Sequence, residues 1–328
     1  MRYRVLGSSD LHVSEISLGS WLTYSGGVEA DATRACTDAA FAAGINFFDT
    51  ANVYGRGAAE TAWGEILSGR PRDSYILATK VWGQMSDDPD DRGLSGAQIA
   101  KQIDASLARL QTDYVDLYQL HGFDPNTPID EALEALDTVV RSGKARYVGV
   151  SNWMGYRVAR ALGRSEVKNL ARIDSVQPRY NLLFRTFERD LLPLCEEEGV
   201  AVIPYNPLAG GLLTGKHDRA SKPEQGTRFT VGRAGAMYQT RYWHEREFDT
   251  IEELKSVAKD AGMSLTTMAV RWVLSRNRQS AATTTSNARS TAGSAPSRWP
   301  GAANGRPLPS AGRYGDTAPA AICWCQRR

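Results

Sequence analysis

Four side chains that can move or stabilise a proton stand at or just beyond the ends of three apolar segments. Asp49 ends the first segment, Tyr54 follows it in the next turn, Lys80 ends the second and His121 ends the third. Any one of these four could be an ordinary solvated loop residue, but that interpretation explains the four together poorly. A phenol has a pKa of about 10, and a nearby cation lowers that value by stabilising the phenolate. We therefore expect a proton-donating site centred on Tyr54.

The elements that must position these side chains alternate between strand and helix patterns. This repeated order predicts a parallel sheet, whose strands all present their carboxyl ends at one edge. In a β/α barrel that edge carries the chemistry. Residues 2–13 alternate in character on either side of a turn-forming sequence at 7–10, which predicts a hairpin that closes the opposite end of the barrel. The predicted helices are 31–43, 60–67, 96–110, 130–143, 250–261 and 264–274, and the predicted strands are 16–21, 45–50, 74–80, 114–121, 147–152, 175–177 and 200–205.

The bulk composition is that of an ordinary globular enzyme-sized domain. The chain has 328 residues, of which 42% are hydrophobic and 23% charged, with a formal net charge of +2. Such a small charge argues against nucleic acid or an anionic membrane as a partner. No segment reaches the roughly 20 apolar residues of a membrane span, and the first residues lack a continuous apolar leader core. We expect a cytoplasmic protein without a metal centre.

Motifs along the chain closely resemble those of the aldo-keto reductases. They lie at residues 44–51 with Tyr54 and Gly55, at Thr79 and Lys80, at Leu120 and His121, and at residues 148–152 and 205–208. Within that family, residues 19–21, 92–95 and 124–128 are most similar to the branch of potassium-channel beta subunits and bacterial glyceraldehyde-3-phosphate or methylglyoxal reductases. The resemblance covers about residues 2–274.

The resemblance implies a TIM (β/α)8 barrel with an N-terminal β-hairpin. It also implies NADPH-dependent reduction of small aldehydes or ketones, by hydride transfer with Tyr54 as general acid. Lys80 would supply the cation, Asp49 would hold Lys80, and His121 would orient the carbonyl. Glyceraldehyde 3-phosphate and methylglyoxal are plausible kinds of substrate. Relatives in this branch imply a homotetramer or a larger ring.

The resemblance also implies which residues hold the cofactor and the substrate. Ser151 and Asn152, which on general grounds could instead be a helix cap or turn, would join Gln177 in binding the nicotinamide carboxamide, and the ring of Tyr205 would stack on the nicotinamide. A glycine-rich loop would close over the pyrophosphate with two nearby cations. The loop residues are Asn206, Pro207, Leu208, Ala209 and Gly210, the cations are Lys216 and Arg228, further cofactor contacts are Ser20, Trp21 and Asp49, and the substrate pocket includes Trp21 and Trp82.

The composition changes abruptly near residue 279. Residues 279–328 are rich in Ala, Ser, Gly, Pro, Thr and Arg, contain no Lys, Glu or Val, and have a single Leu at 308. Such a segment buries too little apolar surface to offset its ordering entropy. We therefore expect a barrel at residues 1–278, followed by a low-complexity tail, disordered or out of frame. The eighth βα unit would then be atypical or missing.

Two other functions remain open at this stage. One is an NADP(H)-binding, redox-sensing subunit with little turnover, and the other is a reductase impaired by its altered C-terminus. The channel beta subunits tend to lack the histidine of the tetrad, so His121 favours a working reductase.

Overall fold

The computed structural model describes residues 1–24 and 30–276. A hairpin of β1 (Tyr3–Val5) and β2 (His12–Ser14) opens the chain, and its strands pair antiparallel. Gly7 in its turn has φ +59°, and a Cβ there would lie 2.5 Å from the carbonyl oxygen of Asp174. Only glycine allows the turn to sit this close to the sheet, so the predicted hairpin indeed closes the amino-terminal end.

Seven parallel strands follow in chain order, each hydrogen-bonded to the next. They are β3 (Leu18–Gly19), β4 (Phe47–Asp49), β5 (Ile76–Val81), β6 (Val115–Leu120), β7 (Ala145–Ser151), β8 (Ile173–Gln177) and β9 (Ala201–Val202). The helices are α1 (Ala30–Ala42), α2 (Ala58–Leu67), α3 (Gly96–Leu110), α4 (Ile129–Arg141), α5 (Gly155–Lys168), α6 (Leu191–Glu198), α7 (Gly232–Tyr242), α8 (Glu245–Asp260) and α9 (Leu265–Arg276). This is the predicted α/β barrel architecture.

Burial explains why the central strands read as nearly continuous apolar runs. Every residue of β5 and β6 is buried, because helices cover one face of the sheet and side chains fill the other. The helices instead bury one stripe: α4 buries Ala132, Leu133 and Leu136. Polar residues inside β5 and β6 therefore need a specific partner.

A buried carboxylate ties two helices to the strand that carries Lys80. Glu60 on α2 is fully buried and accepts hydrogen bonds from the Thr79 hydroxyl at 2.5 Å and from Arg109 Nε on α3 at 2.7 Å. These bonds fix the carboxyl end of β5 against α2 and α3. The position of the Lys80 backbone is thus set by the helix layer as well as by the sheet.

The structure differs from the sequence prediction at the two outer strands, after β9, and in the helices α5 and α6, which were not predicted. Both β3 and β9 contain two residues, fewer than the predicted 16–21 and 200–205. The helix α7 was not predicted, because its Gly232 start and its mixture of small and polar residues carry no clear apolar period. The helix α8 begins at Glu245 and not at residue 250.

The edge strands β3 and β9 are not hydrogen-bonded to each other, and a cavity of about 110 Å³ lies between the hairpin, β9 and α9. The cavity-lining residues include Phe47 on β4, Val202 on β9 and Val273 on α9. A strand following α9 would fall after residue 276, so the predicted tail and the atypical eighth unit lie outside the described residues. Among the described helices, none has the length and apolarity needed to cross a membrane.

Candidate active site

Asp49, Tyr54, Lys80 and His121 come together at the carboxyl ends of β4, β5 and β6. Lys80 Nζ donates to Asp49 Oδ2 at 2.5 Å and to the Thr50 carbonyl at 2.7 Å, and it lies 3.4 Å from the hydroxyl of Tyr54. Asp49, Tyr54 and Lys80 are 0% exposed and His121 is 1% exposed. The tetrad is therefore a compact, water-poor cluster of ionisable groups.

The sheet register explains this convergence. Phe48 pairs with Leu77 and Asp49 with Ala78, so the turn after β4 lies beside the end of β5. Lys80 pairs with Gln119 of β6, which places His121 at the next strand end. Parallel strands present their carboxyl ends together, so residues distant in sequence meet at one edge.

Burial and the neighbouring carboxylate act in opposite directions on Lys80. Desolvation lowers the pKa of Lys80, because removal from water penalises the ammonium form. The Asp49 carboxylate favours the ammonium by its charge and by the hydrogen bond. Lys80 therefore depends on Asp49 to keep its charge in this environment.

Two aromatic rings pack against the ring of Tyr54. The His121 ring lies 5.5 Å from the Tyr54 ring, centroid to centroid, and is inclined by 74°. The Trp21 ring lies 4.8 Å away on another side. Trp21 Nε1 is buried and has no hydrogen-bond partner among the described residues. A buried, unsatisfied donor next to Tyr54 fits a site that receives a polar ligand.

Two glutamines hold the other oxygen of Asp49. Gln177 Nε2 donates to Asp49 Oδ1 at 2.9 Å, and Gln119 Nε2 donates to the same oxygen at 3.3 Å. The sequence analysis missed Gln119. The available signal was a polar residue inside a fully buried strand, in register with Lys80. With both oxygens bonded, the carboxylate has a fixed orientation toward Lys80.

The residues predicted to bind the nicotinamide carboxamide form one hydrogen-bonded chain. Asn152 Nδ2 donates to Ser151 Oγ at 2.7 Å and to the His121 carbonyl at 3.3 Å, while the Tyr205 hydroxyl donates to Asn152 Oδ1 at 2.9 Å. Ser151 Oγ in turn donates to the Gln177 carbonyl at 2.9 Å. The chain joins the ends of β7, β8 and β9 to the tetrad.

The glycine-rich loop after β9 has the backbone conformation expected of a close approach to a ligand. Gly210 and Gly211 have φ of +70° and +108°. A Cβ on Gly211 would have only His217 Nε2 near it, at 3.6 Å. Asn206 and Ala209 also have positive φ, at 64° and 49°. The N–H groups of Ala209 and Gly211 donate to the carbonyls of Asn206 and Leu208 in this buried turn, so a phosphate would have to bind to other N–H groups of the loop.

The remaining predicted residues have varied surroundings. Ser20 Oγ donates to the Thr50 hydroxyl at 2.8 Å, directly behind Asp49. Lys216 is exposed, and Arg228 Nη1 lies 3.5 Å from the Tyr238 hydroxyl. Leu208 packs against the apolar cluster that includes Leu212 and Phe229. Pro207 lines the cavity next to β9 and α9. The Trp82 ring packs close to Gly122, because a Cβ added to Gly122 would be 3.4 Å from it.

The donor set fits a nicotinamide dinucleotide. Hydroxyl and amide groups of Ser151, Asn152 and Gln177 match a carboxamide, and the glycine-rich loop offers a cradle for phosphates. The unsatisfied Trp21 Nε1 lies at the tetrad, where a small carbonyl compound would bind. A Cβ at Gly210 would lie 2.7 Å from the Tyr238 ring, so a side chain there would disturb the loop.

Comparison with known proteins identifies the family. Residues 15–295 match the model of the Aldo/keto reductase family, and the chain belongs to this family. Membership places it among oxidoreductases that use a nicotinamide cofactor and act on small carbonyl compounds.

Individual relatives support the predicted branch. The chain is 35% identical to a putative voltage-gated potassium channel subunit beta of Schizosaccharomyces pombe, over 83% of this chain and 80% of that protein. It is 34% identical to L-glyceraldehyde 3-phosphate reductase of Escherichia coli O157:H7, over 85% and 82%. The solved structure of glycerol dehydrogenase AKR11B4 from Gluconobacter oxydans is similar with a TM-score of 0.71, at 30% identity, over 84% and 83% of the chains.

Proposed function

We propose that this chain reduces small aldehydes or ketones to alcohols with NADPH, and that Tyr54 is the general acid. The observation that carries the proposal is the buried ammonium of Lys80, 2.5 Å from Asp49 Oδ2 and 3.4 Å from the Tyr54 hydroxyl. A cation placed there stabilises negative charge on the phenol oxygen as its proton leaves. The stability of a buried strand does not require a lysine in contact with a carboxylate and a phenol.

Each residue of the tetrad has a distinct part in the proton transfer. Tyr54 donates its hydroxyl proton to the carbonyl oxygen of the substrate. Lys80 stabilises the phenolate that remains, and Asp49 keeps Lys80 charged and in position. His121, with its ring 5.5 Å from that of Tyr54, orients the carbonyl and shares its hydrogen bond. General acid catalysis of this kind contributes about 10²- to 10⁴-fold.

The cofactor, when bound, supplies the hydride that the carbonyl carbon accepts. Ser151, Asn152 and Gln177 would hold its carboxamide, and the ring of Tyr205 would stack on the nicotinamide. The loop Asn206–Gly210, with Lys216 and Arg228, would surround its phosphates, for which positive charge and backbone N–H groups are favourable.

The substrate pocket accounts for the proposed preference for small carbonyl compounds. Trp21 lies against Tyr54, and Trp82 lies beside Gly122, the residue after His121. Two indole rings beside a buried tetrad would favour a short carbon chain over a bulky one. Methylglyoxal and glyceraldehyde 3-phosphate are the compounds we propose to test first, the second because a similar relative reduces a compound of that name.

The decisive experiment is NADPH oxidation followed by absorbance, with methylglyoxal or glyceraldehyde 3-phosphate as substrate. Wild type should turn over, and Tyr54→Phe should lose at least about 100-fold in kcat. Tyr147→Phe is the matched control, because its hydroxyl bonds to Asp10 at the opposite end of the barrel. NADPH binding should be titrated by fluorescence in all three proteins.

Two results would contradict the proposal in different ways. Saturable NADPH binding by wild type without aldehyde-dependent oxidation would identify a nucleotide-binding subunit. Absence of NADPH binding would show that the tetrad persists in a chain that does not hold its cofactor. Comparison of the NADPH and NADH dissociation constants in the same titration tests the proposed cofactor preference.

A further inference from the structure

A half-buried arginine follows β8 on the side of the proposed cofactor ring. Arg179 pairs with Tyr205 through a parallel backbone bridge. Its guanidinium carbon lies 3.6 Å from the centroid of the Phe184 ring and 5.7 Å from that of Tyr242. Stacking on Phe184 covers one face of the guanidinium, and its in-plane N–H groups include a donor to the Tyr242 side chain.

A second arginine approaches the same tyrosines from another element. Arg241 lies in the last turn of α7, directly before Tyr242. Its Nη1 is buried and has no hydrogen-bond partner in the described part of the chain. Burial raises the pKa of the Tyr205 and Tyr242 phenols, and the charges of Arg179 and Arg241 both act against this rise.

Neither cation is balanced by a carboxylate. Within residues 1–24 and 30–276, neither Arg179 nor Arg241 forms a salt bridge, whereas the half-buried Arg72 and Arg109 are paired with Asp116 and Glu60. Desolvation lowers the pKa of Arg179, and the neighbouring Arg241 acts in the same direction. Two adjacent, partly desolvated cations are unfavourable unless an anion joins them.

The location of this pair connects it to the tetrad. The Tyr205 hydroxyl donates to Asn152, and Asn152 donates to the His121 carbonyl. An anion bound beside Tyr205 would therefore be connected to the tetrad through the side chain of Asn152. Planar guanidinium groups bind the oxygens of phosphates and carboxylates through charge-assisted hydrogen bonds.

We propose that Arg179 and Arg241 form a binding site for an anionic group, a phosphate or a carboxylate, of a molecule held in the catalytic pocket. The group belongs to the carbonyl substrate or to the cofactor. Its assignment to a substrate rests on the proposed reductase function, whereas binding of the anion itself does not.

The first test measures anion binding without turnover. Inorganic phosphate is titrated into the full chain while thermal unfolding is followed, for wild type, Arg179→Met and Arg241→Met. Wild type should be stabilised by phosphate, and each variant should bind it about 10- to 100-fold more weakly, as expected for a lost charge-assisted hydrogen bond. Arg172→Met removes the same charge just before β8, beside Glu198, and should behave as wild type.

Thermal unfolding without phosphate separates a binding role from a structural one. Loss of an uncompensated cation should leave the melting temperature of Arg179→Met unchanged or raised, whereas a structural arginine would lower it on removal. Equal phosphate affinity in wild type and both variants would overturn the proposal.

Two further arms identify the molecule that carries the anion. If it is the substrate, the variants lose selectivity for glyceraldehyde 3-phosphate over glyceraldehyde in kcat/KM and keep their NADPH dissociation constant. If it is the cofactor, the NADPH dissociation constant rises and the selectivity is retained. Should the wild type show no turnover, the phosphate titration still decides whether the anion site exists.

Discussion

Gln119 Nε2 donates a 3.3 Å hydrogen bond to Asp49 Oδ1, the oxygen opposite the one that binds Lys80. Gln119 is fully buried in the middle of the sheet and cannot reach solvent. Because Gln177 supplies the second donor to the same oxygen, Asp49 is held from both strands that flank β7. The orientation of Lys80 therefore depends on residues that do not touch Tyr54.

Replacement of Gln119 by Met is expected to lower kcat for aldehyde reduction by about tenfold, the effect of roughly one hydrogen bond to a charged group. KM should change little. A less firmly held Asp49 supports the Lys80 ammonium less well, so the pH above which kcat declines should shift downward. The pH dependence of kcat checks this prediction.

Gln98→Met provides the control, because Gln98 Nε2 donates to the backbone carbonyl of the exposed Asp90, in the loop before α3. A Gln119→Met enzyme with an unchanged pH profile and reduced stability would show that Gln119 serves packing alone.

The buried ion pair predicts a large and asymmetric effect on stability. Asp49→Asn leaves Lys80 without its counter-charge and should reduce the free energy of unfolding by about 3 to 5 kcal/mol near neutral pH. The double variant Asp49→Asn/Lys80→Met removes both charges and should recover most of this loss. Equilibrium urea unfolding of the wild type, the single variant and the double variant measures these differences.

The pH dependence of the single variant gives an independent check. Because the pKa of Lys80 is lower in the folded chain than in the unfolded chain, Lys80 loses its proton at a lower pH when the chain is folded. Between these two pKa values the free energy of unfolding therefore rises with pH. The deficit of Asp49→Asn should therefore shrink as the pH approaches about 10. A constant deficit would contradict the assignment of the loss to an uncompensated ammonium.

The tetrad could be predicted because each member stands at a strand end, where a charged residue interrupts an apolar run. Gln119 could not, because an amide inside a strand gives no sign of its partner on another strand. Arg179 and Arg241 were equally hidden, since they lie far apart in sequence and only the packing of α7 brings them together. Local patterns show where strands end, and tertiary packing decides which buried polar groups meet.

Fold prediction had the same limits. Alternating helix and strand patterns were sufficient for the barrel architecture, because burial on both faces makes β5 and β6 nearly continuous apolar runs. The strands β3 and β9 contain only two residues each, fewer than predicted. Beyond β9 the chain remains hydrogen-bonded to the end of β8, through the N–H groups of Ile203 and Tyr205, but without the regular pairing of a strand. The helix α7 was missed because its small and polar residues carry no clear apolar period, although it packs in one apolar cluster with the glycine-rich loop.

Asp174, at the amino-terminal end of β8, predicts a pH-dependent contribution to stability. Burial raises the pKa of its carboxyl to about 6, although Ser8 Oγ donates to it at 3.2 Å. Between about pH 4 and 6 the folded chain keeps a proton that the unfolded chain has released, so the free energy of unfolding falls as the pH rises through this interval.

Asp174→Asn is neutral at every pH and keeps an oxygen that can accept from Ser8. It should match wild type near pH 4 and be more stable by about 2 to 3 kcal/mol near pH 8. Urea unfolding at the two pH values measures the difference. The exposed Asp113→Asn is the control for the same substitution at the protein surface. A variant less stable than wild type at the higher pH would contradict the prediction.

Two helical glycines predict opposite effects of the same substitution. A Cβ on Gly64 in α2 would lie 2.2 Å from the backbone oxygen of Arg109, so Gly64→Ala must separate α2 from α3. We expect a loss of about 1 to 3 kcal/mol or more in the free energy of unfolding. Gly163 in α5 has no atom within 4 Å of such a Cβ, and Gly163→Ala should increase stability by about 0.5 to 1 kcal/mol.

The effect of Gly64→Ala should extend to catalysis. The helix α2 also carries Glu60, which binds the Thr79 hydroxyl next to Lys80. A shift of α2 moves the end of β5, so Gly64→Ala should lower kcat as well as stability, whereas Gly163→Ala should leave kcat unchanged. Steady-state kinetics on both variants tests this coupling. Full activity in a destabilised Gly64→Ala protein would show that β5 holds Lys80 without help from α2.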